Sequence, residues 1–167
     1  FKCCILVVVW MLMERVSISL LTYNSLKYLP ACLASIVAQT YPCIDLLVMD
    51  NGSTDGTVEL LQKSYPQVRT MANSANLYFS KAHNIAIRHS EGDYVMLLNP
   101  DVILRPDFVE QMVHTIEADC DIGMVSGKLL RMGSDMQPIA PPVIDSTGLW
   151  FNCEVRHFDR GAEEVDR

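Results

Sequence analysis

IDLLVMDNGSTD, residues 44–55, is an essentially apolar run, Ile44–Met49, that stops abruptly in a polar cluster beginning at Asp50. Pro42 bounds it on the other side. A short apolar run without strict alternation suits a strand buried on both faces, and such strands belong to parallel sheets covered by helices. Gly52 supplies an unusual backbone angle, and Ser53 and Asp55 are helix-capping types. The cluster therefore predicts a turn into a helix that runs through Val58 and Leu61 to Tyr65, where Pro66 stops it.

Outward from this stretch the alternation of apolar runs and helical spacing repeats, as expected for an α/β fold with a mostly parallel sheet. Val16–Leu21 reads as the first strand. Leu26, Leu29, Leu33, Ile36 and Val37 follow at helical spacing, with Asn24 and Ser25 available as caps. Val68–Met71 reads as a third strand, and Lys81–His89 as a helix carrying Ala82, Ile85 and Ala86 on one side. Tyr94–Leu98 is a further buried strand that delivers Asn99, Pro100 and Asp101 at its carboxyl end, the edge where open α/β sheets bind ligands. A helix from Pro106 presents Phe108, Met112 and Ile116 to a core, and Ile122–Ser126 reads as another strand. Residues 131–147 are irregular and rich in proline, while Leu149–Cys153 and Val155–Phe158 have the pattern of a hairpin.

Bulk properties narrow the function. Half of the 167 residues are apolar and 20% are charged, as in a globular domain. The net charge of -7 and the lack of a basic cluster argue against nucleic acid as a partner. The six cysteines include no C-x-x-C pair and mostly sit in apolar stretches, which predicts buried, reduced thiols rather than a disulfide framework or a zinc site. Cys3–Met13 is apolar but shorter than the roughly 20 residues of a spanning helix. The segment 1–13 is expected to be a leader, with Met13 as the natural start, and any membrane association to be peripheral.

Three polar clusters close three expected strands: Thr22-Tyr23-Asn24, Asp50 through Asp55, and Asn99-Pro100-Asp101. Each alone is also what an ordinary strand-to-helix turn looks like. Their joint order and spacing are more specific. The runs VSISLLTYN (16–24), LASIVAQTYP (33–42), VMDNGSTD (48–55), Asn76 through His83 and Asn84, and LLNPD (97–101) together resemble family 2 glycosyltransferases of the GT-A fold. The resemblance spans residues 14 to 128, and is strongest to the rhamnosyltransferase-like branch, where the metal motif is commonly Asn-Pro-Asp. It implies a Rossmann-like, three-layer α/β/α sandwich, with a nucleotide-sugar-binding domain over 14–130 and the start of an acceptor-side region over 131–167.

The resemblance also assigns roles. Thr22 and Tyr23 would lie along the base and ribose of a nucleotide-sugar donor, with Asn24, Asn51, Asn76 and the polar pair His83 and Asn84 beside it, and no histidine is catalytic. Asp50 would accept a hydrogen bond from the imide nitrogen of uracil or thymine. Asp101 would hold a divalent metal, Mg²⁺ or Mn²⁺, and Asn99 would contact the ribose or a metal-bound water. Tyr78 stands where relatives commonly carry glycine. Lys81 and Arg88 are candidates to neutralise a diphosphate, though a solvated helix face is the plainer reading.

Such a metal has a clear physical use, since a departing nucleoside diphosphate gathers negative charge that a bound cation stabilises. Mg²⁺ accepts one or two carboxylates completed by phosphate oxygens, so a single aspartate suffices in principle. The base that deprotonates the acceptor is supplied in this family by an acidic motif further on, and is expected beyond Arg167. Asp145, Glu154, Asp159 and Glu163 do not match that motif. The activity implied is inverting transfer of a sugar from a UDP- or dTDP-sugar to a hydroxyl of a saccharide or lipid-linked acceptor. The family suggests cell-surface polysaccharide synthesis at the cytoplasmic face of a membrane. Two other readings stay open: a nucleotide-sugar-binding module without catalysis, and a nucleotidyltransferase of related fold. The absence of G-x-G-x-x-G disfavours a dinucleotide-dependent oxidoreductase.

Overall fold

A computed structural model describes residues 13–151 and 157–166. The leader, Cys3, Cys4, Cys153 and the centre of the expected hairpin lie outside the described residues. The chain forms two compact units, one comprising Pro42–Pro100 with Leu26 and the residues before it, the other Lys27–Tyr41 with the residues from Asp101 onward.

The first unit is built on a four-stranded parallel sheet. Its strands are β1 (Val16–Thr22), β2 (Ile44–Asp50), β3 (Arg69–Ala72) and β4 (Tyr94–Leu98), in the order β3-β2-β1-β4. β1 pairs with β2 from Val16↔Ile44 to Thr22↔Asp50 and with β4 from Val16↔Tyr94 to Leu20↔Leu98. That register brings the ends of β1 and β2 level, so the loops leaving Thr22 and Asp50 start side by side. The expected α/β class with a mostly parallel sheet is the one observed.

Every residue of β1 is buried, including Ser17, Ser19 and Thr22. Buried hydroxyls need partners. Ser17 Oγ accepts from the Gly92 amide at 3.0 Å, Ser19 Oγ lies 2.8 Å from His83 Nδ1, and Thr22 Oγ1 donates to Asp50 Oδ1 at 3.0 Å. Gly92 is required at its position, because a Cβ there would come within 2.7 Å of the Arg15 carbonyl oxygen and the Ser17 amide nitrogen. Asp45, the polar residue in β2, sits near the strand's start with Arg69 Nη1 at 3.5 Å.

Helix α2 (Thr57–Ser64) begins later than the cluster Ser53–Asp55 suggests, after Gly56 in a left-handed conformation. Helix α3 (Tyr78–Arg88) begins three residues before the expected Lys81. Ala82 and Ala86 of α3 let the helix approach the sheet closely and pack on Leu21, Leu47 and Met49, with Met71, Leu77 and Ile85 at the margin. Burying each large apolar side chain contributes about 1.5–3 kcal/mol.

The second unit contains α1 (Leu29–Val37) and α4 (Phe108–Glu117). Asn24 and Ser25 do not cap α1, which starts after Tyr28 with a proline in its first turn; both residues are engaged elsewhere. In α4 the fully buried positions are Val109 and Val113, one residue on from the expected face of Phe108, Met112 and Ile116, which are half-buried. Residues 122–128 form no strand, contrary to expectation, and Met124 is 86% exposed. Glycines at 123 and 127 weaken any strand there. Two short antiparallel pairs follow: β5 (Leu129–Leu130) with β6 (Ile144–Ser146), and β7 (Leu149–Phe151) with β8 (His157–Asp159), the latter matching the expected hairpin. Of the thiols, Cys32 is buried and Cys43 half-buried, but Cys120 is exposed at the end of α4, against the expectation of burial.

Candidate functional site

The loops after β1 and β2 are interlocked by their polar side chains. Asp50 is fully buried, and both carboxylate oxygens accept from the surrounding loops. Oδ1 receives Thr22 Oγ1 and Ser53 Oγ, while Oδ2 receives the amides of Gly52 at 3.0 Å and Ser53 at 2.9 Å. Gly52 makes this turn possible: it has φ of 78°, and a Cβ there would press on the Ala75 backbone at 3.2 Å. Asp50 therefore acts in the structure as the knot of the turn.

Further stitches join the loops. The Asn24 amide donates to Ser53 Oγ at 2.9 Å, and Asn24 Oδ1 accepts from the Thr54 amide at 2.8 Å. Asp55 accepts from the Leu26 amide at 2.9 Å and from Thr57 Oγ1 at 2.6 Å. Desolvation pushes the Asp55 carboxyl upward, but the hydrogen bonds from Thr57 and the Leu26 amide outweigh it and hold the group below the usual aspartate value. Asn51, only 2% exposed, ties in the third loop: Nδ2 donates to the Tyr78 carbonyl at 3.2 Å, and Oδ1 accepts from Asn73 Nδ2 at 3.2 Å and the Leu77 amide at 3.3 Å.

Over this network opens a pocket of about 300 Å³ at the carboxyl edge of the sheet. Thr22 and Asn51 are its buried floor, three aromatic side chains (Tyr23, Tyr78 and Phe79) line it, and Asn76 and Pro100 complete it. Those rings are 50%, 80% and 52% exposed. Phe79 packs edge-on against His83, with ring centroids 4.4 Å apart. His83 is itself buried and bonded to Ser19 through Nδ1, and its Nε2 has no hydrogen-bond partner among the described residues. Burial alone lowers its pKa, so the ring is neutral at neutral pH.

Tyr78 has φ of 60°, a left-handed conformation that costs a bulky residue about 1–2 kcal/mol. Its amide donates to Asn76 Oδ1 at 2.7 Å and its carbonyl accepts from Asn51, so the backbone is held from both sides. The positive φ gives the physical reason why glycine suits this position.

Of the residues the sequence singles out, Thr22, Tyr23, Asn51 and Asn76 line the pocket, and Asp50 lies under it. Asn24 is exposed within the interlocked loops. Asn84, Lys81 and Arg88 are exposed on α3, outside the pocket lining. Asn99 is exposed where β4 ends, immediately before Pro100. Tyr78 and Phe79 were not assigned a role from sequence, and His83 only a place beside Asn84 near the donor; three aromatic or imidazole rings over residues 78–83 were the available signal.

A second pocket, about 370 Å³, lies at the opposite edge of the same sheet between Arg15, Asp45, Arg69 and Glu91. Its charges satisfy one another through the pairs Arg15–Glu91 at 3.6 Å and Arg69–Asp45 at 3.5 Å, leaving no charge to attract a ligand.

Asp101 opens the second unit. Its carboxylate is exposed and has no hydrogen-bond or ion-pair partner among the described residues. Burial, and then the negative charge of Asp101, push the Cys32 thiol up to about 12, which removes it as a thiolate ligand or nucleophile. The segment after Asp101 is held by α1 and the turn behind it. Ser35 Oγ accepts from the Leu104 amide at 3.1 Å, Gln39 Nε2 donates to the Arg105 carbonyl at 2.7 Å, and Gln39 Oε1 accepts from the Val109 amide at 2.9 Å. The first turn of α4 is thereby capped from outside by Gln39. An unengaged carboxylate on an anchored segment suits a hard cation completed by phosphate oxygens. The one group of three close potential ligands among the described residues, Asp119, Cys120 and Asp121, consists of exposed neighbours in sequence.

A parallel sheet with an aromatic-lined pocket at its carboxyl edge has the arrangement in which open α/β folds bind ligands. Residues 17–134 match the profile of Glycosyl transferase family 2, and the chain belongs to that family. It is 34% identical over 113 residues to a chondroitin synthase of Escherichia coli, covering 66% of this chain and 16% of that protein. It is 36% identical over 107 residues to an N-acetylglucosaminyltransferase of Bradyrhizobium elkanii, covering 61% of this chain and 58% of that protein. Among solved structures, the mannosyltransferase PcManGT of Pyrobaculum calidifontis, in complex with GDP-Man and Mn²⁺, superposes with a TM-score of 0.58. It is 27% identical, over 66% of this chain and 34% of that one. TarS of S. aureus, 24% identical over 63% of this chain and 20% of that chain with a TM-score of 0.57, shares the fold. The chain thus has the GT-A glycosyltransferase fold and spans 16% to 58% of the length of these two curated relatives.

Proposed function

We propose that this chain is the donor-binding part of an inverting glycosyltransferase that moves a sugar from a nucleoside diphosphate sugar to an acceptor hydroxyl. The observation that carries the reading is the aromatic-lined pocket over the interlocked loops of Thr22 and Asn51, with Asp101 following its Pro100 directly in the chain. Aromatic walls bind the flat base by stacking. Asn76 offers its side-chain amide nitrogen to the base's polar edge or the ribose, above the loop that Asn51 braces. Asp50 keeps the turn rigid, so that little ordering is left to be done on binding.

Asp101 would hold Mg²⁺ or Mn²⁺, which when bound supplies charge to the departing diphosphate. With Asn99 in place of a second carboxylate, that metal affinity depends strongly on the donor's phosphates. A pyrimidine donor, UDP- or dTDP-linked, is supported by the motif resemblance, in which Asp50 accepts from the imide nitrogen of uracil or thymine. The rhamnosyltransferase-like branch, polysaccharide synthesis and an acceptor at the cytoplasmic face of a membrane are supported by motif resemblance. Among the described residues, no helix is long and apolar enough to cross a membrane.

Calorimetric titration of UDP, dTDP and GDP with and without Mn²⁺ tests the reading. Binding of at least one nucleotide, strengthened by Mn²⁺, is expected. In Asp101→Asn the Mn²⁺ enhancement should fall at least tenfold, while stability changes by no more than about 0.5 kcal/mol, as for an exposed side chain without partners. Absence of any nucleotide binding would sink the proposal.

A further inference from the structure

We infer that Tyr78 is a specificity-determining residue of this pocket, its ring forming an aromatic wall that stacks on the nucleobase. The inference rests on the donor-pocket reading above and adds a residue to it. Three observations meet at this one position.

The first is conformational. Tyr78 occupies the left-handed region at φ of 60°, which an aromatic side chain rarely adopts, and the surrounding structure fixes it there through Asn76 Oδ1 and Asn51 Nδ2. Strain that persists because its neighbours over-determine it is concentrated at ligand-binding positions. The second is exposure. The ring is 80% exposed, so the fold gains almost no hydrophobic stabilisation from it. The molecule thus bears a backbone penalty for a side chain that does nothing for its own core. The third is location, since this exposed ring lines the same pocket as Tyr23 and Phe79.

Phe79 makes a useful contrast. Its edge rests on His83, which is fixed in turn by Ser19 of β1, so Phe79 has a structural anchor. Among the described residues, no ring contact holds Tyr78. A planar, aromatic ligand is the partner that would cover it, and the nucleobase is the planar part of a nucleotide donor. Stacking is tolerant of base identity, whereas it distinguishes a nucleotide sharply from a bare diphosphate.

The test uses Tyr78→Gly, Tyr78→Ala and Tyr78→Phe in the full chain, titrated with UDP and with inorganic pyrophosphate, both with Mn²⁺. Glycine relieves the backbone strain, so Tyr78→Gly is expected to raise Tm while weakening UDP binding on the order of tenfold, in the range found when stacking rings are removed. Tyr78→Ala should weaken UDP similarly, and Tyr78→Phe should bind as the parent does. Pyrophosphate affinity should be unchanged in all three. If the parent binds UDP and Tyr78→Gly binds it equally well, the inference is overturned while the pocket reading stands. Equal losses for UDP and pyrophosphate also overturn it, by showing that the whole pocket was disturbed. If the parent binds no nucleotide at all, both readings fall.

Discussion

The rim loops of the first unit and the clasp of the second use the same kinds of side chain to opposite ends. At the rim, Asp50, Asn51, Ser53 and Asp55 spend nearly all of their hydrogen-bonding capacity on one another's loops. In the clasp, Ser35 and Gln39 serve the segment after Asp101, and the carboxylate of Asp101 itself is left without a partner among the described residues. The polar turn after β2 thus spends its groups on bracing its own loops, whereas the rings of Tyr23, Tyr78 and Phe79 and, separately, the Asp101 carboxylate stay exposed.

The sharpest way to break this comparison is to cut the knot. Asp50→Ala leaves two part-buried loop amides and two hydroxyls short of an acceptor, and a loss on the order of 3 kcal/mol is expected, read by urea denaturation. A loss below about 1 kcal/mol would show that Asp50 is not the scaffold. Gln39→Ala should cost less, about 1–2 kcal/mol, because it removes one external cap and two carbonyl contacts. Hydrogen exchange should quicken at the Val109 amide, whereas UDP affinity should hold if the clasp and the rim are separate devices.

The smallest effect is the most diagnostic in its sign. His83 is held neutral by burial, so its folded pKa lies below the unfolded value of about 6.5. The unfolded chain therefore binds more protons below that value. Its contribution to stability is fully present above about pH 6.5 and is lost as pH falls through the lowered folded pKa. In His83→Gln this acid-side slope should flatten relative to the parent when denaturation midpoints are compared between pH 7.5 and pH 5. A parent curve that is flat across this range would refute the burial argument.

Much of this was legible in the sequence. The runs Val16–Leu21, Ile44–Met49 and Tyr94–Leu98 are apolar enough to mark strands, and their polar endings mark the binding edge. Ile122–Ser126 misled because apolar content is a local signal, whereas a strand also needs a ladder partner, and Gly123 and Gly127 favour irregular backbone. The face of α4 was read one residue early because Phe108 and Met112 look more core-like than Val109 and Val113, though the valines are the ones buried. At the site, residue types showed where the loops converge but not who bonds to whom. The four donors that converge on Asp50 cannot be read from residue types, and Tyr78 reads as an irregularity until its backbone angle is known.

Asn51-Gly52 is also the dipeptide most prone to ageing in proteins, because the glycine nitrogen can attack the asparagine side-chain carbonyl and release ammonia. Here that nitrogen is occupied, its hydrogen given to Asp50 Oδ2 at 3.0 Å, and the asparagine amide is pinned by three bonds across the loops. Folding thus acts as a chemical preservative for its own turn. A molecule left unfolded in alkaline buffer would acquire an isoaspartate or aspartate at position 51, and either one lacks the amide that bonds the Tyr78 carbonyl.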